Sequence, residues 1–225
     1  MTTEVLYKKI YKILIISIAF SIVGFSFVYA VYLSSATIVD TKRTFYFLVS
    51  SSTHIEASAH DVTQMGGAGY LLEENEKEYV AISVYSSRNQ AVAISTVLTN
   101  APTKILIKEA SKLYLKSVKQ KRQMQTYKNA FLLLSNWIDF LEQEIKRLEK
   151  GATQQSCKRI LQSLQKQFVV GNRYETVFPS FTQTCLMANE SLSDILHSIV
   201  YVADLRYLLC ELSDGYIRLS EEFSI

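Results

Sequence analysis

Four side chains capable of acid–base or metal chemistry crowd into a short stretch at His54, Glu56, His60 and Asp61. A helical zinc pair needs ligands at i and i+4. His54 and His60 are six apart, about 240° around a helix, so they point to different faces. A solvated helix face is the better reading, and no metal ligands are expected. His197, next to Leu196 and near Ile199 and Val200, reads as a core or boundary histidine rather than a base. Gly66, Gly67 and Gly69 resemble a phosphate cradle only superficially. Such cradles follow a strand and open a helix, whereas these glycines follow a helix and lead into a strand. They are a helix stop and turn. Cys157, Cys185 and Cys210 have no metal or redox spacing and sit among leucines, so buried thiols are expected. Their odd number leaves at least one unpaired. No Ser, His and acid fall on the strand-to-helix elbow of a hydrolase nucleophile. The expectation is a protein that is not an enzyme, with no catalytic residues and no cofactor.

The composition of the 225 residues is 48% apolar and 20% charged, which excludes a disordered chain. Only 7 Gly and 2 Pro are present, too few for a loop-rich sandwich or a collagen-like rod. Three Cys exclude a small disulfide framework. The net charge of +3 hides segments: 101–170 is strongly basic, while 44–100 and 171–225 are acidic. Lys108, Lys112, Lys116 and Lys119, with Lys121 and Arg122, would share a face if this stretch were helical. The favoured reading is a solvated face complementing the acidic C-terminal segment. The functional reading is attraction to anionic wall polymer or lipid headgroups, weakened by salt.

These residues need elements to position them, and the first is a membrane anchor. Ile13–Leu33 contains no charge over 21 residues. As a helix it would span about 31 Å, enough for a hydrocarbon core. Tyr29 and Tyr32 suit the headgroup layer near one end. Lys8, Lys9 and Lys12 lie closer to the run than Lys42 and Arg43 do. The nearer cluster favours a cytoplasmic N-terminus, with residues 34–225 outside. That location removes nucleic acid as a partner. Ser34-Ser35-Ala36 could serve a signal peptidase, but the run exceeds a signal core. An uncleaved single-pass anchor in the cell membrane is expected.

Beyond the anchor, TFYFLVSSS at 44–52 reads as a strand. A helix follows, with Ile55, Ala59 and Val62 at helical spacing and Thr53 placed to cap it. Tyr70–Glu73 and Tyr79–Tyr85 read as strands around a polar turn. A helix from about Asn89 to Leu98 leads to a last strand at Lys104–Lys108. The order strand, helix, strand, strand, helix, strand is a ferredoxin-like split unit, with both helices on one sheet face. Period-2 alternation turns Phe47, Val49, Val80 and Ile82 to those helices. It leaves Tyr46, Leu48, Ser50, Tyr79, Ala81 and Ser83 on the open face.

Phe45–Ile107, less than a third of the chain, resembles a SPOR domain, the small bacterial module that binds peptidoglycan at division and spore septa. VAISVYSSRNQAVA at Val80–Ala93 is the best match, joined by FYFLVSSS, Ala57 and Gly69-Tyr70. A short anchored tail ahead of the domain also fits the family's layout. The resemblance implies glycan contacts on the open face at Tyr46, Leu48, Ser50, Tyr79, Ala81 and Ser83. Leu48 stands where the family has Gln, and Ala81 or Tyr79 where it often has Arg. Ser50 and Ser83 stand at common Gly positions. Leu48 and Ala81 make the face drier than a saccharide wants. The competing reading is that this face packs on the chain's own C-terminal helices.

The remainder reads as helices: one over 111–149, one over Thr153–Val170, and a last one opening at a loose capping box, Ser191–Asp194. Three or four helices with short turns suggest an antiparallel bundle. The expected class is therefore α+β: an N-terminal transmembrane helix, a ferredoxin-like βαββαβ SPOR-like domain and a C-terminal antiparallel helical bundle. The expected division is 1–36 for cytoplasmic tail and anchor, 43–110 for the SPOR-like domain and 111–225 for the bundle. The expected function is that of a membrane-anchored bacterial cell-envelope protein binding peptidoglycan in cell division or sporulation. The alternative is a non-catalytic envelope scaffold whose SPOR-like fold no longer binds glycan and docks an envelope or divisome protein.

Overall fold

The computed structural model describes Gly24 and residues 37–50, 55–98 and 103–223. Four strands, β2 (Thr44–Ser50), β3 (Tyr70–Glu74), β4 (Lys77–Tyr85) and β5 (Thr103–Glu109), form an antiparallel sheet in the order β3-β4-β2-β5. Helices α1 (Ile55–Gln64) and α2 (Arg88–Val97) are the two crossovers. β-branched and aromatic residues dominate β2 and β4, as a surface buried on both faces requires. Gly66 and Gly69 turn the chain from α1 into β3 with φ of 82° and 65°, a region where side chains other than glycine are strained.

Two further strands, β1 (Thr37–Val39) and β6 (Leu113–Leu115), pair antiparallel in a second sheet. Val39, Leu113 and Leu115 are all but fully buried. Helices α3 (Val118–Arg122), α4 (Met124–Glu149), α5 (Gln154–Phe168), α6 (Pro179–His197) and α7 (Val202–Glu221) follow. The stretch expected to open one long helix at 111 is thus a strand and a separate short helix. Lys108, Lys112, Lys116 and Lys119 are distributed over β5, two connections and α3 and share no helix face. Lys121 is buried. The last helix begins at Val202, not at the Ser191 capping box, which lies inside α6. The break falls at Ser198–Tyr201 because Gln154 of α5 satisfies Val200 there, accepting from its N–H at 3.0 Å and donating to its carbonyl at 2.9 Å.

The fold class expected from the sequence is corrected. The described residues form an α+β fold with two antiparallel sheets rather than one. Among the described residues no helix is long and apolar enough to cross a membrane. Ile13–Leu33, expected to be the transmembrane helix, lies outside the described residues apart from Gly24. The helices after α3 do not stand apart as a bundle. Phe45, Phe47, Val49, Leu72, Ala81 and Val84 of the four-stranded sheet belong to the same core as Phe131, Trp137, Leu205 and Leu212 of α4 and α7.

Candidate functional site

Facing in the sheet follows from one irregularity. Leu48 pairs with Ser83, but Val49 pairs with Ala81, so the register shifts and Ile82 is the extra residue. A bulge of this kind breaks the period-2 rule, since residues on either side of it switch faces. Ala81 therefore follows Val49, while Ser83 follows Leu48.

The packing is consistent with this pairing. Leu48 clusters with Val80, Ile82 and Val62 of α1, and the Ser58 hydroxyl of α1 donates to Ser50 Oγ at 3.2 Å. Tyr46, Leu48, Ser50 and Ser83 thus share the face of α1 and α2. Phe45, Phe47, Val49, Tyr79 and Ala81 share the opposite face and pack with the C-terminal helices. On β2 the expected facing is inverted. The six residues expected to contact glycan are divided between two faces and do not form one surface.

Most of them are also inaccessible. Leu48 and Ala81 are 0% exposed, Ser83 3% and Ser50 8%. Tyr79 is half-buried, with the Lys104 ammonium 5.2 Å from its ring centroid. Tyr46 is half-buried and borders an open polar groove of about 630 Å³ with Lys42, Thr44, Ser86 and Ser135. Arg43, in the same groove, is already engaged by Asp139 and Ser135 of α4.

What covers the second face is α7. Its sheet-side row runs Arg206, Cys210, Asp214 and Arg218, each four residues on, so all four stack along one line of the helix. The Tyr70 hydroxyl of β3 donates to Asp214 Oδ2 at 3.0 Å. Lys108 of β5 lies 3.8 Å from Asp214 Oδ1, and Arg218 Nε 3.2 Å from Oδ2. Burial and the adjacent Asp214 carboxylate push the Tyr70 phenol far above its ordinary value, so it remains a donor. At the other end Arg206 donates to the Gly66 carbonyl at 2.7 Å and pairs with Glu149 of α4 at 2.7 Å. Rings lock the centre: Phe45 meets Tyr216 edge-on at 5.7 Å, and Tyr70 meets Tyr207 at 5.4 Å. Reading the sequence for apolar stripes missed this row. The available signal was charge recurring every fourth or eighth position inside an otherwise apolar helix.

The residues weighed for chemistry are dispersed. Of the cluster at 54–61, His60 and Asp61 are exposed, and His54 lies outside the described residues. Among the described residues no group of His, Cys, Asp or Glu could hold a metal ion. His197 is exposed rather than in the core, its Nδ1 2.7 Å from the Ser193 carbonyl. Cys157, Cys185 and Cys210 are free and buried. Burial raises all three thiols, Cys185 to about 12, which keeps them protonated and unreactive. Comparison with family models, curated proteins and solved structures finds no match for this chain.

Proposed function

We propose that this chain is a non-catalytic scaffold of a bacterial cell envelope, in which a SPOR-like unit serves packing rather than glycan recognition. The observation that carries this reading is the covered sheet. A saccharide binds through hydroxyls that need accessible polar partners, whereas α1 and α2 lie on the face of Leu48, Ser50 and Ser83, and α7 covers the face of Tyr79 and Ala81. The apolar run at 13–33 is the reason to place the scaffold at a membrane. Outward-facing apolar side chains support a protein partner: Val92, Ile94 and Val97 on α2, with Leu71 and Ile107 on the outer strands, are all exposed.

Co-sedimentation of the full chain with purified sacculi tests the first half, and retention no greater than that of a control protein is expected. A photo-crosslinking residue at Val97 tests the second, with a discrete adduct to another envelope protein expected in cells. Retention on sacculi together with no adduct would overturn the scaffold reading. The open groove beside Tyr46 favours a second reading, in which glycan binds there instead of on the sheet face. Retention abolished by Tyr46→Ala would establish it.

A further inference from the structure

The two-stranded sheet of β1 and β6 has one side in the core and the other in solvent. Val39, Leu113 and Leu115 are buried, so strand alternation turns Ile38 and Tyr114 outward, where Ile38 is 57% exposed and Tyr114 half-buried. The two are cross-strand partners and form one small apolar and aromatic spot. Lys112 and Lys116, immediately outside the two ends of β6, follow the same alternation and are both exposed. Lys119 and Arg122 come next, exposed and three residues apart on one side of α3. A capping box holds that short helix: the Gln120 N–H donates to Ser117 Oγ at 3.1 Å and the Ser117 N–H to Gln120 Oε1 at 3.0 Å.

Charge at this patch is unbalanced. Residues 110–138 hold Lys112, Lys116, Lys119, Lys121, Arg122 and Lys128 and no Asp or Glu. Among the described residues Lys112, Lys116, Lys119 and Arg122 are in no ion pair. Two carboxylates stand nearby: Asp40, whose Oδ1 accepts from the Lys42 N–H at 3.1 Å, and Glu222, next to the Phe223 whose carbonyl accepts from the Tyr114 N–H. Four unpaired cations against these two leave the patch positive.

Exposed cations spread along a strand and a helix suit an extended anionic surface rather than one small anion. An apolar and aromatic centre flanked by lysines suits a lipid headgroup layer in particular. The ring and the aliphatic side chain enter it, while the ammonium groups stay at the phosphates. Chain continuity points to the same surface. Thr37 pairs with Leu115, so the chain arrives from the apolar run at 13–33 beside Lys116. Only residues 34–36 intervene, which keeps Thr37 within about 14 Å of Leu33 even at full extension.

We propose that the outer side of β1 and β6, together with α3, is a membrane-facing surface that binds anionic phospholipid headgroups. It deepens the scaffold reading and rests on its placement of the run at 13–33 at a membrane.

The test uses the full chain with Ile38→Cys, labelled there with an environment-sensitive fluorophore. It is reconstituted with vesicles of phosphatidylcholine, or of an equal mixture with phosphatidylglycerol. Cys157, Cys185 and Cys210 are buried, so the label goes to the introduced thiol. Flotation reads the seating of 13–33, and the emission reads the patch. Flotation with both lipids, and a blue shift only with phosphatidylglycerol, are expected. The shift should be lost at high salt, which screens exposed charges. It should also be lost when Lys116→Gln, Lys119→Gln and Arg122→Gln are combined, with the melting temperature unchanged. Flotation with both lipids and no phosphatidylglycerol-dependent shift overturns the proposal and leaves the membrane reading standing. Flotation and shift with the mixture alone support the patch and overturn the seating by 13–33. Flotation with neither overturns both. A shift of the same size with soluble poly(glycerol phosphate) assigns the patch to a wall polymer and overturns the lipid proposal.

Discussion

Trp137 is the clearest single side chain on which to rest a measurement. It is 1% exposed, its Nε1 donates to Gln167 Oε1 at 3.1 Å, and its ring meets Phe168 edge-on at 4.8 Å. Truncation leaves a void among the packed rings, so Trp137→Ala should cost about 3–5 kcal/mol. Urea unfolding measures this, and an unchanged midpoint would mean that the ring is not core. Glu211 carries a different dependence. It is 8% exposed, and burial holds its carboxyl above the ordinary Glu value although the Ser191 hydroxyl donates to it at 3.0 Å. A carboxyl raised on folding binds its proton more tightly in the folded state. Its contribution to stability is therefore complete below the ordinary Glu value and is lost as pH rises through the raised one. Glu211→Gln keeps an acceptor for Ser191 and cannot ionise. It should raise the urea midpoint at pH 7.5 and leave it unchanged near pH 4. A gain of equal size at both would remove ionisation as the cause.

Helix α7 succeeds as a cover because it fits the sheet with polar and apolar contacts together, and because α6 can approach it from behind. Gly215 permits that approach: a Cβ there would lie 2.9 Å from Thr184 Cγ2 of α6. Thr184 cannot swing aside readily, being β-branched and bonded to the Ser180 carbonyl at 3.0 Å. Gly215→Ala should cost about 1–3 kcal/mol through overpacking. Adding Thr184→Ser, which removes the offending methyl, should recover most of that loss in thermal melts. The Asp214 contacts can be dissected in the same way. Tyr70→Phe removes one hydrogen bond and should cost about 1 kcal/mol. Asp214→Ala also removes one of two carboxylates from Lys108, which keeps Glu74 at 3.2 Å, and should cost about 2 kcal/mol. Equal losses in the two variants would show that the ion pairs contribute nothing.

Taken whole, the molecule is tied shut between its first described strand and its last helix. β1 pairs with β6, the Tyr216 hydroxyl donates to the Thr41 carbonyl at 3.1 Å, and the Tyr114 N–H donates to the Phe223 carbonyl at 3.1 Å. Val39 of β1 and Phe223 just beyond α7 thus belong to one shared core. A fragment of 43–110 would expose Phe45, Phe47, Val49 and Leu72 to water, an apolar face with nothing against it. It should show no cooperative melt, while the full chain unfolds in one transition by circular dichroism and fluorescence alike. A fragment that melts cooperatively would establish the sheet unit as independent of α7.

Local rules reached far in this chain. Strand alternation, glycine stops and helical spacing are properties of neighbouring residues, and they located the four strands and two helices between Thr44 and Glu109 within a few positions. The helix over 124–149 was legible too, though not its start, since amphipathic spacing is an intrinsic property of the segment. The site was not. Tyr46, Leu48, Ser50 and Ser83 fell to one face and Tyr79 and Ala81 to the other because of a bulge at Ile82, which depends on how β4 meets β2 and not on the composition of either. Whether the second face stayed open depended on a helix more than a hundred residues away, joined to it by Asp214 and Arg206. A second antiparallel sheet arose where a linker and a helix start were expected, because Thr37–Val39 pairs with the distant Leu113–Leu115. Pairing between distant segments is a property of the closed chain, and no window of neighbouring residues contains it.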